Sequence, residues 1–326
     1  MVVGGVVLAC AWTSPAPPAD PDTPRPQPTV VELTIDGQPV RVHALPTGTI
    51  GIKRCHHDLC VPESAHYLRR FASILADDEF AEPMPIWTYL VEHPQGRFVI
   101  DTGGTEDWAD PDAWACDPIA GRVSRSMAQV DVRPGEALVD RLAALDLRPD
   151  DLNAAVITHL HFDHTAGIED LGVTTYVGQG DLDAARIIGA TPCRFLQGAP
   201  LVPVEPLAAT TPTRAGDPGD EALGPGFSLT DDGTLRVYPT PGHTPGSLTV
   251  RLQTDQGDLW FVGDTTFDDQ ALDPAGPTAS IHVRFTEVRA LQKTLDMLKQ
   301  QTGALLLPAH DDDAGERLQG FGRSAG

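Results

Sequence analysis

The segment VITHLHFDHTAG, residues 156–167, places His159, His161, Asp163 and His164 within six positions at the end of a short apolar run. Imidazole and carboxylate groups crowded in this way are metal ligands before they are packing residues. His159 and His161 are two apart, so in extended backbone their side chains point to the same side. Asp163 and His164 follow a turn and can face a second position nearby. Four more apolar runs end on polar groups of the same kind: RFVI on Asp101, RVYPTPG on His243, LWFVG on Asp264 and LLLPA on His310. Strand ends hold side chains rigidly at one rim of a sheet, which is where a ligand shell is most readily built. The set divides into two cation sites, His159, His161 and His243 at one and Asp163, His164 and His310 at the other. The two oxygens of Asp264 bridge them. Nitrogen and oxygen ligands without thiolate suit two zinc ions, with manganese, iron or cobalt as alternatives. Asp101 and Thr158 fit behind the ligands, where they fix the histidine rings.

Two cations so held lower the pKa of a shared water, giving hydroxide near neutral pH to attack an ester, lactone or thioester carbonyl. Asp163 or Asp264 then shuttles the proton. Trp108, Trp114 and Phe267 are the candidate apolar pocket residues. His43, His66, His93 and His282 stand alone on apolar stretches and read as satisfied core histidines.

The elements that must position these groups follow from periodicity. TVVELTIDGQPVRVHALPTG reads as a hairpin about Asp36-Gly37, and WTYLVEHPQGRFVIDTGG as a second one about Pro94-Gln95-Gly96. Helical spacing marks residues 65–76, 135–147 and the stretch EVRALQKTLDMLKQQ. AAVIT, TTYVGQ, GTLRVYPT, GSLTVRLQT, GDLWFVGDT and ALLLPAH read as strands, with DLDAARIIG as a helix. Residues 196–230, rich in Pro and Gly, read as a long irregular loop and a pocket wall. Strands in runs with helices between the runs predict sheets covered by helices, an α+β or layered αβ/βα sandwich.

The chain has 326 residues, 41% hydrophobic and 21% charged, with a formal net charge of −23. No basic cluster is available to neutralise phosphates, so a nucleic-acid partner is excluded and a small-molecule substrate is expected. No run of 18 or more apolar residues exists to span a membrane. The start, MVVGGVVLACAW, is similar to the end of a bacterial lipoprotein signal, with Cys10 as the lipidated residue, although no Lys or Arg precedes Arg25. Residues 13–29 carry seven prolines and read as an extended tether, able to hold the domain of residues 30–326 roughly 50 Å from an anchor. Together these features predict an exported protein anchored to a membrane through Cys10, or a cytoplasmic one if the signal match is chance. Cys55 and Cys60, in CHHDLC, read as a disulfide or two free thiols ahead of a third metal site.

THLHFDH, TPGHTPG, GDTTF and LPAH resemble, in order, the ligand motifs of the metallo-β-lactamase superfamily. YLVEHPQGRFVIDTG resembles its early hairpin and aspartate, so matching segments run from about residue 86 to about residue 312. The resemblance implies two β-sheets sandwiched between helix layers, with the metals at one edge. It also implies His159, His161, Asp163, His164, His243, Asp264 and His310 as ligands. Within the superfamily the sequence looks most like the N-acyl homoserine lactonase group. True β-lactamases commonly place a Cys in the second metal site, where Asp264 stands here. Diiron members usually carry Glu at the place of His161, which favours hydrolysis over oxygen chemistry. The lactonases place a Tyr three residues after the bridging Asp, where it assists at the substrate carbonyl. This chain has Phe267 there, and a phenyl ring has no hydrogen to donate. The rival enzymes are a phosphodiesterase and a glyoxalase-type thioesterase, which usually need Lys or Arg beside the metals, and none adjoins these motifs. The rival from another class is a surface lipoprotein that stores or senses metal without catalysis.

Overall fold

The computed structural model describes residues 16, 20, 22, 24–108, 110, 113–115, 117–188, 196–205, 217–269, 272 and 278–324. Two sheets form its centre. The first has eight strands, β1 (Thr29–Ile35), β2 (Gln38–Ile52), β3 (Met84–His93), β4 (Gly96–Ile100), β5 (Ala128–Asp131), β6 (Ala154–Val156), β7 (Thr175–Gly178) and β8 (Leu201–Val204). Their order is β1-β2-β3-β4-β6-β7-β8, with β5 on the far end of β2. The second has five, β9 (Phe227–Ser228), β10 (Leu235–Pro239), β11 (Leu248–Thr254), β12 (Gly257–Gly263) and β13 (Leu305–Pro308), in the order β13-β12-β11-β10-β9.

Alternation explains the layering. In β10 and β12, Leu235, Val237, Leu259 and Phe261 face the other sheet. They join Val31, Leu33, Val40, Val42, Tyr89 and Val91 in one core between the sheets. The intervening Tyr238, Trp260 and Val262 face outward and pack under Leu295 and Leu298 of the helix Phe285–Thr302. On the other side Leu45, Leu90 and Val99 of the first sheet pack under Leu138 and Leu142 of the helix Leu138–Ala143. Strands buried on both faces read as continuous apolar runs, and the result is the expected sandwich with helices outside. Burying a side chain of this size contributes roughly 1.5–3 kcal/mol, so these layers set the frame to which the rim is fixed.

The hairpins form as expected. Asp36 and Gly37 have φ of 51° and 74°, the paired left-handed geometry of a two-residue turn. In the second hairpin Gly96 is already the first residue of β4, so only Pro94 and Gln95 turn. Other expectations need correction. Residues 196–230 are not an irregular loop throughout, because Leu201–Val204 pairs with β7 and Pro218–Leu223 is helical. The helix expected over 135–147 shortens to Leu138–Ala143, since Gly135 and Asp146 both take positive φ. The helices Pro118–Met127 and Ala314–Ser324 were not anticipated. The tether ends sooner than residue 29. Thr29 opens β1, and Arg25 lies against the domain, pairing with the Asp131 carboxylate and donating to Thr49 Oγ1 at 2.7 Å. The apolar start, Cys10, Cys116 and Cys193 lie outside the described residues. Among the described residues no helix is long and apolar enough to cross a membrane.

Candidate metal centre and adjoining cavity

β4 and β6 are parallel neighbours, so their C-terminal ends share one rim. The chain leaves β6 extended through His159 to His161. Leu160 is buried in a small apolar cluster and the two histidines point the other way. A single turn, Phe162–Thr165, then brings Asp163 and His164 round. From the second sheet come His243 after β10, Asp264 at the end of β12 and His310 after β13. The seven residues therefore meet at the seam between the sheets.

They form two groups. Ligand atoms of His159, His161, His243 and Asp264 lie within 4.8 Å of one another, and so do those of Asp163, His164 and His310. His161 Nδ1 is 2.8 Å from His159 Nε2 and 3.1 Å from His243 Nε2. Asp264 spans both groups. Its Oδ2 faces His159 Nε2 at 3.7 Å and His243 Nε2 at 3.6 Å. Its Oδ1 faces Nε2 of His164 and of His310, each at 3.3 Å. Asp163 Oδ2 is 3.3 Å from His310 Nε2 and 3.6 Å from His164 Nε2.

The residues fit a pair of cations. Nε2 of His164 and Oδ1 of Asp264 are buried without a hydrogen bond, although they are close together. Buried polar atoms are costly to leave unsatisfied, and a cation between them satisfies both. The electrostatics agree. Burial drives the pKa of His159 and His243 well below the ordinary value, leaving neutral rings with lone pairs to give. Burial acts the same way on His164 and His310 but is outweighed by carboxylates. Asp101 and Asp264 hold His164 well above the ordinary value, and Asp264 and Asp163 raise His310 to about 10. The second group thus demands positive charge, from protons or from a metal.

Behind the ligands the support is polar and buried. Asp101 accepts from Thr158 N at 2.7 Å and Thr158 Oγ1 at 2.8 Å, and its Oδ2 lies 2.8 Å from His164 Nδ1. It does so with φ of 59°, a strained value for a residue with a Cβ. His310 Nδ1 is held by Pro85 O at 2.8 Å. A further carboxylate, Asp181, gave no sign of its role in the sequence. It accepts from Leu160 N at 3.0 Å, Thr244 Oγ1 at 3.0 Å and Gly246 N at 2.6 Å, tying the loop of His161 to the loop of His243. The end of β7 comes so close to the His243 loop that a Cβ on Gly178 would stand 1.8 Å from Gly246 O. His282, expected as packing alone, is indeed buried, but its Nδ1 stands 3.0 Å from His243 Nδ1. His66 is exposed and caps the helix Tyr67–Ala76 instead of entering a core. His43 and His93 are buried beside Glu92 and Thr234.

A cavity of about 300 Å³ opens onto this rim, reaching His161, Asp163, His243, Asp264 and His310. Its far wall is apolar, with Ile52, Phe71, Met84, Val123, Met127 and Ile281 among its residues, and no Lys or Arg lines it among the described residues. Phe267 lines it, packed edge-on to the His310 ring with centroids 5.6 Å apart. Trp108 and Trp114 do not line it. They pack on each other and behind Phe162, which takes the lining place. Cys55 and Cys60 form a disulfide, which leaves them no thiolate for a third metal. His56, inside that ring, also lines the cavity. Burial first, and then the neighbouring His161, lower its pKa to about 3.

The sequence profile of the Metallo-beta-lactamase superfamily matches residues 81–310. A curated relative, the N-acyl homoserine lactonase AttM of Azorhizobium caulinodans, is 29% identical over 246 residues, covering 71% of this chain and 83% of that protein. The N-acyl homoserine lactonase of Bacillus thuringiensis is 24% identical over 198 residues, covering 60% of this chain and 70% of its own. Among solved structures, an N-acyl homoserine lactone hydrolase with the product N-hexanoyl-L-homoserine bound at its catalytic metal centre superposes with a TM-score of 0.64 at 17% identity. It covers 89% of this chain and 96% of that one. AidC, a dizinc quorum-quenching lactonase, superposes with a TM-score of 0.55 at 16% identity, covering 88% and 92%.

Proposed function

The chain belongs to the metallo-beta-lactamase superfamily, and within it we propose a lactone hydrolase that works with two divalent cations, zinc in the first instance, on uncharged substrates carrying an apolar acyl group. The observation that carries this reading is the cavity, whose rim of N and O donors faces an apolar recess that has no Lys or Arg among the described residues. A recess without Lys or Arg suits a neutral lactone or ester better than the anionic substrates of a phosphodiesterase or a glyoxalase-type thioesterase. The lactonase names of the relatives support the same substrate class.

His159, His161 and His243 would hold one cation, Asp163, His164 and His310 the other, and Asp264 both. Bound there, the cations supply an activated water and polarise the carbonyl. The chain's own residues do the rest. Asp101 and Thr158 keep His164 and His159 in register, and Asp181 keeps the two histidine loops in contact. Asp163 or Asp264, both on the cavity, takes the proton as the tetrahedral centre forms and returns it to the leaving oxygen. The apolar wall excludes water from the acyl chain and orients the ring towards the rim.

The test is direct. Purified protein loaded with zinc is expected to bind about two ions per chain and to open N-acyl γ-lactones faster than it hydrolyses phosphodiesters. Saturation at one ion, or phosphodiester turnover without lactone turnover, overturns the reading. The disulfide supports the further proposal that the protein works outside the reducing cytosol, exported and held through a lipidated Cys10. Membrane partition that survives Cys10→Ser overturns that part alone.

A further inference from the structure

The ring closed by Cys55 and Cys60 is fastened to the body by three hydrogen bonds, one to Asp77 and two from Ser280. Cys55 N donates to Asp77 Oδ2 at 2.6 Å, Ser280 N donates to His56 O at 3.1 Å and Ser280 Oγ donates to Asp58 O at 3.2 Å. What the clamping fixes is the aim of two imidazoles. His57 stacks on Phe267 with centroids 5.7 Å apart and an interplanar angle of 29°. His56 faces the cavity beside His161, Asp163 and Asp264.

Two further observations bear on His56. Its Nδ1 is buried and has no hydrogen-bond partner among the described residues. A polar nitrogen left so is costly unless a water, an ion or a ligand satisfies it. Apart from the rim residues, only His56, Tyr67 and Ser124 of the described lining side chains can donate a hydrogen bond. Of these, His56 has the rim residues His161, Asp163 and Asp264 among its charged neighbours. Phe267, on the same wall, offers only a hydrocarbon ring.

Resting on the lactone-hydrolase reading above, we propose that His56 is a catalytic residue whose ring N–H donates a hydrogen bond to the carbonyl oxygen under attack. The disulfide-closed loop holds it on the side of the cavity where Phe267 cannot donate. The step moves no proton through His56. The N–H stays on the ring, and the bond shortens as negative charge gathers on the oxygen. A donor of this kind acts on the transition state more than on the bound substrate, so its loss appears in kcat and little in KM.

The experiment compares zinc-loaded wild type with His56→Ala, His56→Gln, His56→Phe and the double variant His56→Ala with Phe267→Tyr. The substrates are N-hexanoyl homoserine lactone and 4-nitrophenyl acetate. His56→Ala and His56→Phe are expected to lose about a hundredfold in kcat on the lactone, and less on the aryl ester, whose leaving group needs less help. His56→Gln, which keeps an N–H, is expected to recover part of the loss, and Phe267→Tyr in the His56→Ala background to recover more. Zinc content and melting temperature should stay those of wild type. Independently of turnover, the His56 ring N–H resonance is expected to shift when the hydrolysed lactone is added. Wild-type kcat in both His56→Ala and His56→Phe, or equal losses on both substrates accompanied by lost zinc, overturns the role of His56 and leaves the lactonase reading intact. A wild-type protein inert to both substrates overturns the lactonase reading and this role with it.

Discussion

The two sides of the cavity are built on opposite plans. The candidate metal rim draws its donors from strand ends and is braced by buried polar partners, Asp101 behind His164, Pro85 behind His310 and Asp181 behind the two histidine loops. The opposite wall gathers apolar side chains from helices and strands alike, Phe71 from Tyr67–Ala76, Val123 and Met127 from Pro118–Met127, Ile52 from β2 and Met84 from β3. A wall of hydrocarbon tolerates change of size, because contact energy varies gradually with area. A rim of directed lone pairs does not, because a displaced donor loses its bond altogether. Chemistry should therefore be fragile on one side and specificity adjustable on the other.

The largest effect should come from the one side chain that serves both cation sites. Asp264→Ala is expected to abolish hydrolysis of every substrate and to cut bound zinc below two ions per chain, read by elemental analysis. Retained activity with both ions bound would falsify the bridging role. Next comes removal of the metals by chelation. At a free zinc concentration about a thousand times the dissociation constant, bound metal contributes about 4 kcal/mol of stability. Chelated protein should melt correspondingly earlier, while Asp264→Ala should respond much less. Behind the ligands, Asp101→Asn and Asp181→Ala are expected to weaken metal affinity or activity by roughly 10–100-fold, seen in zinc titrations against a competing chelator. On the wall, Phe71→Ala is expected to cost only about tenfold in kcat/KM on a decanoyl lactone and almost nothing on a butyryl one. An equal loss on both would show that the wall, too, carries chemistry.

The smallest effect belongs to the outer face of the second sheet, away from rim and wall, where Arg251 pairs with Asp217 and Asp258. Burial opposes ionisation of Asp217, but the Arg251 guanidinium outweighs it, and the folded-state pKa is lowered. The stability this pair contributes is present above the unfolded-state value of about 4 and is lost as pH falls through the folded-state value. Asp217→Asn should lower the melting temperature at pH 7 and leave it nearly unchanged at the acidic end, with activity per folded molecule unaltered.

The same contrast explains what could be read from the sequence. His159, His161, Asp163 and His164 sit within six positions, and the other rim donors each end an apolar run, so local pattern revealed them. Phe71, Val123 and Met127 look like any apolar residue on an amphipathic helix, and no pattern distinguishes a cavity wall from a core. Asp181 was invisible because its partners, Leu160, Thr244 and Gly246, lie far away in the chain. The strand Leu201–Val204 escaped notice because it is short, lies at a sheet edge and carries Pro203, which edges tolerate. Nothing local distinguishes His56, because the residues that surround it, Asp77, Ser280 and His161, come from distant parts of the chain.

The seam has a consequence for how the protein comes to exist. Asp101, His159, His161, Asp163 and His164 belong to one sheet, and His243, Asp264 and His310 to the other, with Leu248 N joined to Thr158 O across the gap at 2.7 Å. Each cation position thus needs donors more than 80 residues apart in sequence. Contacts of such long range close late and slowly. Tight capture of zinc should lag behind the burial of tryptophan during refolding. Between the two events there should be a compact, metal-free species in which both sheets are formed and the bolt between them has not been driven home.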